Sequence, residues 1–596
     1  MARRSIRIGG ASGFWGDSAI SVPQLLAAGP LDYLVFDYLA EVTMSIMARA
    51  RARDPEAGYA HDFVGTIVRA LPEITASGVK VIANAGGVNP RACAHALAAR
   101  FRETGRALKI GVVLGDDLMC DLAALRAAGI CEMDTGAPLP EMPLSANAYL
   151  GAQPIAAALA RGADIVITGR CVDSAVTLGA ALHAFGWPAT DFDRVAGASL
   201  AGHIIECGAQ ATGGLHTDWE KTGDWANIGY PIAELDDDGS FIITKPPGTG
   251  GLVSVGTVGE QLLYEIGDPR AYLLPDVTCD FTEVVINEVG EGRVRVSGAR
   301  GRPPTDTYKV SVTYQDGYRV GAYLSIAGLD AARKAEKVAE AVLRRTARML
   351  QELNLGPFNE TSVEVIGAEA AYGPHSRARA AREVNLKLGA RHEVPRALEI
   401  LVRELTSSGT SMAPGISGMG GNRPKVMPLV RLFSALVAKS KVPVSVEVEG
   451  HAAPAPETIA GGFDPARLAR DQAGEVAITP DDAPRVPLVA LAFGRSGDKG
   501  DRANIGVMAR RAAYLPFIRA ALTPESVGEF FAHHLRGHVE RFELPGIHAL
   551  NFVLHEVLGG GGTASLRNDP QGKAFAQMLM DYPIPVTPEI AAEVRG

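Results

Sequence analysis

The stretch "RIGGASGFWGDS", residues 7–18, decides how the first half of the chain is read. It continues a short apolar run, "SIRIGG", into glycines at positions 9, 10, 13 and 16, the pattern of a strand running into a turn. These glycines follow neither the G-x-G-x-x-G nor the Walker A spacing, and no Lys-Ser/Thr pair comes after them. Asp37, at the end of the next apolar run, imitates the ribose-binding acid of a dinucleotide fold, but the bulky Phe14-Trp15 pair opposes a tight pyrophosphate turn. Two other readings stand. One is a strand-to-helix turn capped by Asp17 or Ser18. The other is a substrate loop, with Ser12, Trp15 and Asp17 on it, whose N–H groups meet an anion or a carbonyl oxygen.

Working outward, "DYLVFDYLAE", "VKVIANAGG", "LKIGVVLGDD" and "ADIVITGR" repeat the design, with helical patterns such as "PRACAHALAARFRETG" and "QPIAAALARG" between them. Strands alternating with helices imply βαβ units and a parallel, Rossmann-like α/β sheet. Runs this apolar need cover on both faces. In such sheets ligands sit beyond the carboxyl ends of the strands. Those ends carry Ser12 and Asp17, Asp37 and Glu41, Asn84 and Asn89, Asp116 and Asp117, then Arg170, Cys171, Asp173 and Ser174. From about residue 280 the texture changes. "TEVVINEVGEGRVRVSGARG" and "YKVSVTYQDGYRVGAYLSIAG" read as antiparallel strands with glycine turns, followed by a long helix from about Ala331 to Leu353 and the strand "TSVEVIGAE". The expected division is a parallel α/β domain over 1–280, an α+β domain over 281–452, a proline-rich linker over 453–486 and a last small domain over 487–596.

The bulk composition excludes several classes. Of the 596 residues 47% are hydrophobic and 21% charged, as in a globular protein with a large core, and the net charge of −9 lacks the basic face of a nucleic-acid binder. The six cysteines form no C-x-x-C and no Cys/His set has zinc spacing, so neither a metal nor a redox cofactor is expected. No apolar stretch approaches a membrane span. The opening "MARRSIRIGG" lacks the apolar core of a secretory leader. A cytoplasmic protein with reduced thiols is expected, as a homo-oligomer.

Several stretches carry candidate chemistry. In "ITGRCVDSA", residues 167–175, Arg170 offers a planar fork for a carboxylate or phosphate, and Cys171 stands where a helix N-terminus lowers a thiol pKa; Asp173 and Ser174 either join them or only cap the helix. "GHIIECGAQATGG", residues 202–214, puts His203, Glu206 and Cys207 on one helical face before Gly208 ends the helix. His and Glu form an acid/base pair when burial tunes the Glu, or else His203 is a satisfied interior side chain. "KPPGTGGLVSVGTVGEQLLYEIGDP", residues 245–269, holds a second glycine-rich turn at Thr249, Gly250 and Gly251, then an expected helix from Val258 to Ile266. "TSSGTSMAPGISGMGGNRPK", residues 406–425, reads as a long substrate lid ending at Arg423 and Lys425. "GRSGDKGDRANIG", residues 494–506, gathers Arg495, Asp498 and Lys499 in a turn after a strand.

"IGGASGFWGDS", "VIANAGGVNP", "ITGRCVDSA", "KPPGTGGLVSVGTVGEQLLYEIGDP" and "PDVTCDF" together resemble the acyclic terpene utilisation AtuA family, and "GRSGDKGDRANIG" resembles the small ferredoxin-like domain at that family's C-terminus. The resemblance implies catabolism of citronellol- and geraniol-type acids through CoA thioesters, alongside a biotin-dependent carboxylase. It transfers no catalytic assignment. Three glycine-rich turns, at 9–16, 248–251 and 418–421, are expected to offer backbone donors to CoA phosphates and to the oxyanion of an enolised thioester. The expected reaction is cofactor-free hydration or dehydration of a branched acyl-CoA, with His203 and Glu206 as acid and base and Asp173 as alternate. The competing readings are a hydrolase or acyl transferase with Cys171, Cys207 or Ser174 as nucleophile, and a non-catalytic acyl-CoA-binding or carboxylase-partner subunit. Ser174 lacks the G-x-S-x-G elbow, and a scaffold has no need of polar strand ends.

Overall fold

The apolar runs pair with one another because none of them can face water on either side. Along this computed structural model, which describes residues 5–106, 108–418, 423–454, 458–468 and 474–595, the early strands are β1 (Ser5–Gly10), β2 (Tyr33–Phe36), β3 (Lys80–Ala83), β4 (Ile110–Leu114), β5 (Pro143–Ala148), β6 (Ile165–Thr168), β7 (Ile232–Asp236) and β8 (Phe241–Thr244). Strands β1, β2, β3, β6 and β4 lie side by side in that order, all parallel. All four residues of β2 and of β6 are buried. Tyr33 and Val35 pack with Ile82 and Val166 against the helices Gln153–Ala160, Ala175–Phe185 and Phe192–Ile205. Leu34 and Phe36 pack with Val81, Ala83 and Ile167 against Ser21–Ala27, His61–Ser77 and Pro90–Thr104. The two-residue alternation of each strand thus feeds two cores, one per face. The chain is α/β here, as its strand–helix alternation indicates.

The sheet is nevertheless mixed. Antiparallel β7 and β8 extend it beyond β1, and the hairpin Val285–Gly290/Arg293–Ser297 continues from β8. At the far edge Ser445–Val448 and His451–Ala453 add to β4. In return β5 leaves this sheet and pairs with the 21-residue strand Thr307–Ala327, the centre of the second sheet. The boundary expected at residue 280 therefore does not separate two bodies, since each sheet borrows strands from the other segment. The expected glycine turn at Asp316-Gly317 is also absent. Thr307–Ala327 runs through it with a shift in register between Gln315 and Tyr318, and Gly317 takes φ +71°. The pair builds a bulge because Met427–Ala438 continues alongside on both sides of it. The helices Ala331–Glu352 and Pro395–Ser411 cover this second sheet.

The last domain is a four-stranded antiparallel sheet, Ala492–Lys499, Arg502–Ala509, Ala549–Leu554 and Val539–Leu544 in that order, with helices such as Leu515–Ala521 and Phe575–Leu579 packed on it. Its strands Ala492–Lys499 and Arg502–Ala509 lie on the helix Val255–Leu263 of the first domain. Gly506 and Gly497 permit the approach, since a Cβ there would meet Leu263 at 2.4 Å and Tyr264 at 2.5 Å. The helix end is satisfied across the junction. Asn504 Nδ2 donates to Leu263 O at 2.6 Å, Asn551 Nδ2 donates to Gly267 O at 2.7 Å, and Glu265 N donates to Asn504 Oδ1 at 2.9 Å. Among the described residues no helix is long and apolar enough to cross a membrane.

Candidate active site

The first domain, the long strand Thr307–Ala327 and the tip of the last domain meet over the carboxyl ends of β2 and β6. Arg170, three residues before Asp173, is 3% exposed, and its backbone N–H donates to Asp116 Oδ2 at 2.9 Å. Its Nη1 donates to Asp173 Oδ1 and to Cys171 O, both at 2.7 Å, and the guanidinium lies 4.1 Å over the ring of Tyr149. Tyr149, just past β5, donates its hydroxyl proton to Glu41 Oε1 at 2.5 Å, and Lys309 Nζ stands 3.9 Å from the same oxygen. Burial alone would raise the Glu41 pKa. Lys309, Arg170 and the Tyr149 hydroxyl outweigh it and hold that carboxylate at about 2. Burial in turn lowers the Lys309 pKa. Asp37, after β2, accepts a hydrogen bond from the Asn84 amide, and burial and then Asp173 push its carboxyl well above the usual range.

His203 sits in the last turn of the helix Phe192–Ile205, and Glu206 follows as its C-cap. Its Nε2 lies 3.2 Å from Leu262 O, which can only accept, so Nε2 carries a proton and Nδ1 faces Glu206 Oε1 at 3.2 Å. The other oxygen, Glu206 Oε2, is buried without a partner. Burial pushes the Glu206 pKa up to about 7 although His203 pulls it down. On His203 burial works against the charge, but Glu206 outweighs it and holds that pKa up. The pair therefore retains a shared proton near neutral pH.

Lys499, at the end of the strand Ala492–Lys499, completes the site from the last domain. Its ammonium makes no hydrogen bond or ion pair within 4 Å among the described residues. Burial would lower its pKa, but the surrounding carboxylates Glu265, Asp173, Glu41 and Glu206 raise it. Beside it Lys573 Nζ donates to Glu265 Oε1 at 3.1 Å and to Asp498 Oδ1 at 3.4 Å, and burial lifts Asp498 to about 6. Asp173 and Lys309 keep 32% and 31% of their side-chain surface accessible to water, and Lys499 is exposed, yet protein surrounds Lys309 and Lys499. These charged groups therefore cluster at the carboxyl ends of the strands, with Asp173, Lys309 and Lys499 keeping partial access to water. Arg170 Nε and Ser174 Oγ, both buried and unpartnered, add two more unused polar atoms. Native proteins leave few such atoms unpaired, and a site for water or ligand accounts for them.

Other expected site residues are spent on structure. In the loop 9–16 the side chains expected to meet a ligand are engaged within the protein. Asp17 accepts from Gly13 N at 2.9 Å and from Tyr230 Oη at 2.5 Å, Trp15 Nε1 donates to Asp62 at 2.7 Å, and Ser12 Oγ donates to Asp37 O at 2.9 Å. Gly13 is required because a Cβ would lie 2.5 Å from the Cys207 carbonyl carbon. Asn89 donates to Pro55 O and Ala57 O. In the second turn Gly250 N and Gly251 N donate to Asn227 O and Thr222 O, each at 2.8 Å, while Thr249 Oγ1 donates to Pro246 O at 2.6 Å. The helix after it is Val255–Leu263, three residues earlier than its apolar spacing suggests, because Ser254 and Thr257 form a capping box. Cys171 is 1% exposed and burial pushes its thiol far above the usual range, the opposite of the lowered pKa its place at a helix N-terminus suggests. Arg495 is tied to Gln210 Oε1 and stacked 4.7 Å over Tyr264, as a strap between domains. The expected lid is shorter than its glycines suggest, since the helix Pro395–Ser411 covers 406–411 and the strand Ile416–Gly418 follows. Residues 419–421 of the third glycine turn lie outside the described residues, and Arg423 is exposed.

Glu41 stood among the polar strand ends, but Tyr149, Lys309 and Glu265 were missed. A lysine within the apolar alternation of "YKVSV" was the available signal for Lys309. The group among the described residues with ligand atoms within 4.8 Å of one another is His538, Glu540 and His555, on the surface of the last domain.

Residues 6–448 match the family model described as "Acyclic terpene utilisation family protein AtuA", and residues 486–585 match "AtuA ferredoxin-like domain". No curated protein and no solved structure matches the chain.

Proposed function

We propose, from the premise that this chain belongs to the acyclic terpene utilisation AtuA family, that it is a catabolic lyase adding water to, or removing it from, a branched or acyclic-terpenoid acyl-CoA thioester. The observation that carries this reading is the state of Glu206: one oxygen is held by His203, the other is buried and unengaged, and its pKa is lifted to about 7. A carboxylate so placed exchanges a proton with substrate near neutral pH. In the hydration direction Glu206 Oε2 takes a proton from water as the water oxygen bonds to Cβ of the enoyl thioester. The electron pair of the double bond moves onto the thioester oxygen as an enolate. The Lys499 ammonium, which has no ion pair among the described residues, meets that charge, and Arg170 Nε offers a second donor. The proton then passes from Glu206 to Cα, which restores the carbonyl and the dyad. Dehydration is the reverse, and Asp173 is the alternate base.

The nucleophilic alternative is disfavoured because burial raises the Cys171 and Cys207 thiols well out of the thiolate range. A purely scaffolding subunit does not account for three buried, orphaned polar atoms close to this cluster of charged groups. A cytoplasmic location, a homo-oligomeric state and work alongside a biotin-dependent carboxylase belong to the same proposal. Screening branched 2-enoyl-CoA thioesters for loss of enoyl absorbance tests it. Saturable water addition supports the reading, and no turnover across the panel in either direction overturns it.

A further inference from the structure

A second cavity, of about 400 Å³, opens between the middle sheet and the last domain. Arg319, Lys387, Lys425 and Arg567 line it together with Ser565 and Asn568. Lys387 is neutralised, since its Nζ lies 2.7 Å from Glu364 Oε2. The other three cations form no ion pair among the described residues. Arg319 Nη1 donates only to backbone, to Thr563 O at 3.1 Å and Ser565 O at 3.5 Å. Arg567 donates to Val557 O and to His534 O. Burial lowers the pKa of both guanidiniums, with no carboxylate bonded to either. Two half-buried arginines held in place by carbonyls, with an exposed lysine at the rim, form a cationic recess; Asp501, Glu364 and Glu360 act on Arg567 from a distance, but no carboxylate is in direct contact with either guanidinium. Fixed guanidinium forks match phosphate oxygens.

The cavity also adjoins the catalytic cluster. Gly562 forms part of its wall, and a Cβ at Gly562 would lie 3.1 Å from Gln571 Cγ and 3.5 Å from Asp498 Oδ2, so this glycine turn, with the Gln571 side chain that donates to Asp498, stands between the cavity and the Asp498-Lys499 tip. In the turn 248–251 the N–H groups of Thr249, Gly250 and Gly251 are occupied by carbonyls, which takes most of the seat expected there for the phosphates of a CoA thioester.

The geometry points to this cavity as the seat for the phosphate groups of the acyl-CoA, with the pantetheine arm passing the Gly562 turn to bring the thioester to Lys499. The inference rests on the thioester reading above and adds where the nucleotide end is held. Equilibrium binding to the full chain tests it without reference to turnover, using CoA, dephospho-CoA, pantetheine and inorganic diphosphate as probes. CoA is expected to bind at least about tenfold more tightly than pantetheine, as one or two charge-assisted contacts require. Lys425→Glu, at an exposed residue with no bond to break, and Arg319→Gln are each expected to remove about tenfold of that preference while the melting temperature of Lys425→Glu stays unchanged. Unchanged CoA affinity in both variants overturns the assignment. So does diphosphate binding as tightly as CoA with pantetheine contributing nothing, because the cavity is then an anion site unconnected to the catalytic cluster. If CoA binds here and the variants weaken it while no thioester is hydrated, the cavity stands and the hydration reading alone fails.

Discussion

Replacing Glu206 by Gln keeps the shape of the side chain and removes its charge, and the structure predicts opposite consequences for stability and activity. Glu206 has a native pKa of about 7 against an ordinary value of 4.5. A raised carboxyl pKa means that the native state holds its proton where the unfolded chain has released it. Stability from this group is therefore complete below pH 4.5 and falls as pH rises to about 7. A shift of this size corresponds to about 3 kcal/mol. The variant lacks that loss. It should match the wild type at pH 4 and exceed it at pH 8, with a calorimetric melting temperature there higher by a few degrees in the transition that contains the first domain. Turnover should fall by about 10²–10⁴, the usual contribution of a positioned proton-transfer group. The inflection of wild-type activity near pH 7 should vanish from what remains. A stability gap that stays constant from pH 5 to pH 8, or a variant with full turnover, refutes the account of Glu206.

The other predictions concern separate parts of the fold. Lys499→Met removes an ammonium that has no ion pair, so melting should change by less than the equivalent of about 1 kcal/mol while turnover falls at least about a hundredfold; unchanged kinetics would take Lys499 out of the site. Thiol labelling of the native protein followed by peptide mapping should modify the exposed Cys120 and Cys131 quickly and leave the buried Cys93, Cys171 and Cys279 intact; fast labelling of Cys171 with loss of activity would restore the nucleophilic reading. Gly250→Ala places a Cβ 1.8 Å from Asp224 O, so at least about 3 kcal/mol of destabilisation is expected by thermal melting, and a normal melt contradicts the close approach. Asn504→Leu orphans Leu263 O and Glu265 N, each costing about 1–3 kcal/mol, and should loosen the last domain, seen as faster proteolysis of the segment 474–484.

The parallel strands were legible because their apolar runs have one physical solution, a sheet covered on both faces. The His203–Glu206 contact was legible because both residues sit on adjacent turns of a single helix end. The glycine-rich turns misled because glycine serves two purposes that look alike in a sequence. At Gly13 and Gly250 it permits close backbone approach, to Cys207 and Asp224, and the carbonyls that occupy the turn 248–251 come from Thr222 and Asn227, more than twenty residues earlier. The rest of the site was hidden by distance along the chain. Lys309 reaches Glu41 from 268 positions away on a strand that β5 brings alongside, and Lys499 arrives because Asn504, Asn551 and Arg495 help dock the last domain on the first. The bulge at Asp316-Gly317 depends on the partner strand Met427–Ala438 and has no local signal.

Deuterium exchange at Cα of a saturated branched acyl-CoA, followed by mass spectrometry in D2O, tests the central claim most directly, because it isolates proton transfer to and from an enolised thioester. The account predicts that the wild-type protein incorporates deuterium, and that Glu206→Gln and Lys499→Met each slow incorporation by at least about a hundredfold. No incorporation by the wild type into any branched thioester, or incorporation at the same rate in both variants, would contradict it.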